Sequence, residues 1–213
     1  MVYLVVWRTI NGSTVRSIEY FQQDFNSATM TQANAWYLDM ATQVVNGAAS
    51  TSVTGLSYLN GETVQVYADG ANVKDQVVSG GAITLPNAAT TVLVGYGYTS
   101  QFTALPMHQQ AQGDNSFFGM RTRVRELFIR VCDTCGLKFG ADTAHLDQVP
   151  FRTSGTLPGA PVLTTDVLGP LNVPGSDPSY SAQYTVTSDG ALPMNVLGIV
   201  AGLDTDSPSM GSR

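Results

Sequence analysis

The feature that most constrains this chain is its punctuation by short glycine turns. Asn11-Gly12, Asn60-Gly61, Asp69-Gly70, Gly80-Gly81 and Ser188-Asp189-Gly190 border short runs rich in Val, Ile, Thr, Tyr and Trp. Asn-Gly and Asp-Gly supply the left-handed residues of a tight hairpin turn, and β-branched or aromatic runs on either side suit a pleated strand. Between Asn60-Gly61 and Gly80-Gly81 the turns follow one another at a spacing that suits short strands. The expected class is therefore all-β.

Residues 2–21 read as a hairpin. A run at 2–7 meets Asn11-Gly12, and the returning strand alternates, with Val15, Glu19 and Phe21 on one parity and Ile18 and Tyr20 on the other. Residues 24–34 read as a loop or short helix. The pattern of 36–45 suits strand or helix, and the β-rich surroundings favour strand. From 47 to 98 the strand candidates are 51–53, 63–68, 72–78, 82–85 and 91–96, with Pro86 and Asn87 interrupting where a turn is expected. Residues 121–131 (RTRVRELFIRV) read as a long strand, with an amphipathic helix as competitor. The proline- and glycine-rich 155–179 reads as an extended loop, followed by closing strands at 180–187 and 194–200. The expected architecture is a sandwich-like domain built from 1–48 and 99–203, a small β-barrel or meander inserted at 49–98, and a mobile tail at 204–213.

Composition narrows the function classes. Charged residues make up 12 % of the 213, about half the usual share in soluble proteins, and the net charge is −6. No apolar run approaches the roughly 18 residues of a membrane helix. The N-terminus has neither a basic leader nor a small-residue cleavage site, so no signal peptide is expected. An acidic chain is not a general nucleic-acid binder, although a local basic stripe remains open. A surface poor in charge suits a subunit packed against neighbours, because burying Thr or Gln costs less than burying charge.

Two constellations stand out. Cys132-Asp133-Thr134-Cys135 has the CxxC spacing of zinc and thiol-exchange sites. Zinc needs two more ligands, and the chain offers only His108 and His145, far apart. The expectation is a strand end and turn, with no metal, cofactor or catalytic role. Arg121, Arg123 and Arg125 alternate, so on a strand all three leave one face, and Arg130 brings four of the ten basic residues into ten positions. Such a stripe faces an anionic partner, such as DNA or an acidic neighbour, or is a solvated face paired with local carboxylates. No phosphate-binding glycine loop or GxSxG elbow occurs, and nothing selects a carboxylate pair, so the chain is not expected to be an enzyme.

The phrases WRTINGSTVRSIEYF (7–21), AWYLDMATQVVNGAASTSVTGLSYLNGETVQVYADGANVKDQVVSGGAITL (35–85), LFIRVCDTCGLKFG (127–140) and PFRTS (150–154) resemble the C-terminal part of bacteriophage tail nozzle or hub proteins, which are tail tubular-like. GLSYLNGETVQVYADG also resembles the small β-barrel insert of ubiquitin-activating enzymes. That likeness is architectural, because their nucleotide site and catalytic cysteine have no counterpart here. Family members carry a large preceding β-rich portion, and this chain begins where that portion ends. The resemblance implies a structural virion protein of the phage tail, made in the host bacterial cytoplasm, which assembles with other copies of itself in a ring around the DNA channel. Neighbouring tail proteins are the other expected partners, with non-specific contact to DNA in transit. An acidic lumen would let DNA slide, whereas a channel-facing arginine stripe would grip it.

Two other readings compete. A phage receptor- or carbohydrate-binding module would expose at least two of Trp7, Trp36 and Tyr98 on one face. A polysaccharide depolymerase would depend on a single carboxylate.

Overall fold

The computed structural model describes residues 2–107, 121–151 and 159–205. Its regular structure is almost wholly antiparallel β, with 3₁₀ turns at Gln32–Asn34 and Ser57–Leu59. The all-β expectation holds. The chain divides into two compact units. No helix among the described residues is long and apolar enough to cross a membrane.

The first unit takes Met1–Tyr98 together with Arg152–Val162 and Gly190–Pro193. It opens with the expected hairpin, β1 (Tyr3–Ile10) and β2 (Ser13–Tyr20), in register from Tyr3↔Tyr20 to Ile10↔Ser13. Asn11 and Gly12 close it with φ of 47° and 75°, both in the left-handed region that a two-residue turn demands. A four-stranded sheet follows, from β3 (Asp39–Thr54), β4 (Thr63–Ala68), β5 (Ala71–Val77) and β6 (Ala82–Tyr96). Its order is β3-β6-β4-β5, so β6 enters between β3 and β4. Asp69-Gly70 closes the β4–β5 hairpin, and the Asp69 carboxylate caps the neighbouring strand by accepting from the Thr90 and Thr91 amides at 3.0 and 2.8 Å. Val53, Leu56, Leu59, Val64, Val66, Val92 and Val94 form its core.

Two sequence expectations change here. The candidates 82–85 and 91–96 are one strand, β6, that runs past Pro86. Between the pairs Ser52↔Thr84 and Ser50↔Ala89 the register slips, and Pro86 lies in this irregular stretch, where its missing N–H costs no ladder bond. The boundary expected at 48/49 falls inside β3, which pairs with β6 along its length. Residues 2–48 consequently group with 49–98, and of the expected partner segment 99–203 only Arg152–Val162 and Gly190–Pro193 join them.

The second unit takes Thr99–Phe151, Leu163–Asp189 and Met194–Arg213. One sheet has the order β10-β9-β12-β7, from β7 (Gln101–Thr103), β9 (Leu137–Gly140), β10 (Leu146–Gln148) and β12 (Thr185–Ser188). The other has the order β11-β8-β13, from β8 (Thr122–Val131), β11 (Val167–Asn172) and β13 (Val196–Thr205). Both sheets feed one core, with Val124, Leu127 and Ile129 from β8 and Leu137, Phe139 and Val186 from the opposing sheet. This is a sandwich-like arrangement.

The 121–131 segment is a strand, not a helix, because both of its edges are paired, to β11 and to β13. The expected loop at 155–179 contains β11, which supplies one of those pairings. The expected tail at 204–213 begins inside β13, where Asp204 pairs with Arg123 in register. Residues 206–213 of that tail lie outside the described residues, as do His108 and the 108–120 connection.

Candidate interaction surfaces

The arginine stripe lies on β8 and just before it. Arg121, Arg123 and Arg125 are all exposed, while Thr122 and Val124 between them point into the core. By parity alone Arg130 belongs on the opposite face. It is nevertheless exposed, because the alternation shifts after Val124, and Leu127, Ile129 and Val131 take over the core positions. The ladder shows the cause. Val124 pairs with Leu203 and Glu126 with Gly202, so Arg125 is an extra residue on β8, a bulge that reverses which side chains face inward.

Local partners absorb much of this charge. Arg123 donates to Asp204 at 2.9 Å across the β8–β13 ladder, and Arg125 donates to Glu126 at 2.6 Å. The Glu126 carboxylate raises the Arg125 guanidinium pKa above its ordinary value. Arg121 Nε donates to the Pro178 carbonyl at 3.1 Å. Arg130 has no ion-pair partner among the described residues. The face therefore offers two carboxylates against four guanidinium groups, and its excess positive charge is small.

Cys132-Asp133-Thr134-Cys135 sits at the end of β8. Asp133 takes a left-handed φ of 47° and its amide donates to Thr165 Oγ1 at 2.9 Å, while Cys135 is buried. Thr134 ties the turn together. Fully buried, it accepts the Asn195 amide at 2.9 Å, and its hydroxyl reaches the carbonyl oxygens of Cys132 at 3.0 Å and Asn195 at 3.1 Å. His145 is bound instead to Asp142, at 2.9 Å. Among the described residues no group of three or more His, Cys, Asp or Glu side chains could hold a metal ion.

The most exposed apolar surface lies elsewhere, on the β1–β2 hairpin. Tyr3, Val5 and Trp7 alternate along β1 and stand opposite Tyr20, Ile18 and Arg16 of β2. Five of these form an open apolar ladder, with exposures of 63 % for Tyr3, 68 % for Val5, 65 % for Trp7, 77 % for Ile18 and 47 % for Tyr20. The Tyr3 and Tyr20 rings lie 6.0 Å apart and tilted, and the Arg16 guanidinium sits 4.5 Å from the centre of the Trp7 ring.

The opposite face of the hairpin is held to its own unit. Ile10 is buried. Arg8 binds Glu19 and Asp39, each at 2.8 Å, and the Asn11 amide donates to Glu62. The Arg8 guanidinium holds the Glu19 carboxyl below its ordinary value, burial opposes this, and the Ser17 hydroxyl at 2.6 Å adds to the lowering. An isolated two-stranded hairpin is marginal in water. These anchors fix it with the apolar ladder outward.

Of the aromatic residues singled out from the sequence, Trp7 and Tyr98 are exposed and Trp36 is half-buried. The ladder itself was not anticipated. Its signal was present, because both parities of 3–10 and 13–20 carry apolar residues, and a two-stranded sheet can bury only one of them.

A second apolar surface lies within the second unit. An open groove of about 490 Å³ is lined by Phe102, Tyr184, Met194, Leu197 and Ile199, with Ser100 and Gln101 among its polar residues. Phe102 and Leu197 are exposed, and no charged side chain lines the groove.

A scan against family models and a search of curated proteins both found no match.

Proposed function

We propose that this chain is a structural virion protein of a bacteriophage tail, at a nozzle, hub or tail-tip position, that acts by assembling with copies of itself around the DNA channel. The observation that carries the reading is the β1–β2 ladder, an apolar face exposed on a chain poor in charge. Monomers seldom leave such a face open, and a subunit within an assembly covers it. The resemblance of 7–21, 35–85 and 127–140 to tail nozzle and hub proteins supports the same role. So does the β8 face, since a stripe with two of its four arginines paired to carboxylates would contact passing DNA only weakly. The role needs no catalysis or cofactor. The partners are further copies of the chain and the adjoining tail proteins, and the place of action is the virion tail, filled from subunits made in the host cytoplasm.

A second reading has one observation in its favour. Tyr3, Trp7 and Tyr20 stand on one solvent face, as a carbohydrate- or receptor-binding module requires.

Gold-labelled antibody against the chain, imaged on phage particles from its source, separates the two. Label at the neck or along the tail axis supports the channel role. Label on peripheral fibres transfers the assignment to the adhesin reading, and unlabelled particles overturn both.

A further inference from the structure

Resting on the self-assembly part of the reading above, we infer that two copies of this chain join along the free edge of β1, with the β1 strands paired antiparallel about a two-fold axis at Val5. Comparison of the sheet edges carries the argument. Among the described residues the edge strands are β1, β2, β3, β5, β7, β10, β11 and β13. An unpaired edge is a template for another strand, and proteins guard it with charge, proline, bulges or short length. β7 and β10 are three residues long. Pro170 stands in β11, and Lys74 and Asp75 stand in β5. The registers of β3 and β13 are interrupted, and β2 carries Arg16 and Glu19. Over Tyr3–Trp7, β1 has none of these devices: no charge, Pro or Gly, and an unbroken register against β2.

The backbone sets the phase of the contact. The Phe21 amide donates to the Val2 carbonyl at 3.2 Å, so the even-numbered residues of β1 turn their polar backbone groups towards β2. Val5 and Trp7 therefore turn N–H and C=O to the open edge, beside which no strand lies among the described residues. Pairing two such edges sets odd residues opposite odd ones.

The side chains select the register and the occupant. With Val5 opposite the partner's Val5, Tyr3 faces Trp7 and Leu4 faces Val6, aromatic against aromatic and aliphatic against aliphatic. The run Tyr3-Leu4-Val5-Val6-Trp7 is thus its own complement when reversed, a match that a second copy always supplies. Arg8, the first charge, falls opposite Val2 at the end of the contact and keeps its bonds to Glu19 and Asp39. β2 is the poorer edge for the same purpose. Its parity keeps Arg16 from facing the partner's Glu19, so neither charge gains a direct partner. Pairing through β1 turns a two-stranded ribbon, marginal alone, into a four-stranded sheet. The contact is isologous, so a ring that uses it is built from pairs.

Sedimentation velocity on the purified full chain tests the edge. The wild-type chain is expected as a dimer or a multiple of dimers. Val5→Pro deletes an N–H that serves no bond inside the hairpin, and is expected to halve the mass with an unchanged circular dichroism spectrum. Should proline disturb the fold, Val5→Lys guards the edge with charge and is expected to give the same halving. Cross-linking tests the register. Facing residues of a hydrogen-bonded antiparallel pair lie about 5.5 Å apart at Cα, within the reach of a disulfide. Val5→Cys treated with oxidised glutathione is expected to link into covalent dimers. Trp7→Cys, whose facing residue in this register is Tyr3, should link no more than wild type. Folded Val5→Pro and Val5→Lys variants that assemble like wild type overturn the edge contact and leave self-assembly standing. Linking of Trp7→Cys as efficient as that of Val5→Cys, or wild-type oligomers with an odd number of copies, overturns the two-fold register. A wild-type chain that stays monomeric overturns the contact and self-assembly together.

Discussion

Arg8 and Asp39 join the hairpin to the neighbouring sheet. The guanidinium of β1 lies 2.8 Å from the carboxylate at the start of β3, while its other edge holds Glu19 of β2. One side chain thus links three strands, and it lies on the face of the hairpin opposite Trp7. Replacing Asp39 with Asn removes one ion pair of a half-exposed group, so the cost should be about 0.5–1 kcal/mol. The loss should be local. Amide exchange across β1 and β2 is expected to accelerate while exchange in β4 and β8 stays as in wild type, and uniform acceleration everywhere would contradict this anchoring role.

The same cluster makes stability depend on acid. Glu19 is held below its ordinary pKa of 4.5, chiefly by its hydrogen bonds to Arg8. In the unfolded chain it takes up its proton at higher pH than in the folded one. The unfolded state therefore binds more protons as pH falls below about 4.5, and the contribution of Glu19, full at neutral pH, disappears as pH drops through the folded value. Urea midpoints measured between pH 7 and pH 3 should fall less steeply for Glu19→Gln than for wild type. Parallel curves would remove Glu19 from the account.

The Cys132–Cys135 turn should prove structural through Thr134. In Thr134→Val the shape is kept but the Asn195 amide loses the acceptor that the fully buried Thr134 hydroxyl supplies. The expected cost is about 1–3 kcal/mol in urea unfolding. A variant as stable as wild type would show that the hydroxyl does not hold this turn.

On the β8 face, pairing decides which arginine matters for DNA. Arg123 is matched to Asp204, whereas Arg130 has no ion-pair partner among the described residues. Arg130→Ser should weaken retention on duplex DNA at low salt and lessen its salt dependence, while the double change Arg123→Ser/Asp204→Ser, which removes a neutral pair, should change it little. Equal effects of the two changes would mean that the ion pair opens when DNA arrives.

The sequence by itself determined the elements whose geometry is local. Asn11-Gly12 and Asp69-Gly70 each require left-handed backbone at two successive residues, which few other pairs accept, so both hairpins and the all-β class were legible. The exposure of Arg121 and Arg123 followed from the two-residue period of a strand. Partner strands decided the rest. Pro86 looks like a break, yet β6 passes it, because the strand is stabilised by β3 and β4 on either side and the irregular register leaves no ladder bond for a proline to miss. Asp204 has the composition of a tail, but its backbone pairs with β8 eighty-one residues earlier. Arg130 joins the arginine face only because β13 forces a bulge at Arg125, and nothing in RTRVRELFIRV announces that extra residue. Whether the Tyr3–Trp7 ladder faced inward or outward was likewise undecided by alternation, since both faces of the hairpin carry apolar residues. The choice fell to long-range contacts, with Ile10, Arg8–Asp39 and Asn11–Glu62 tying down the other face.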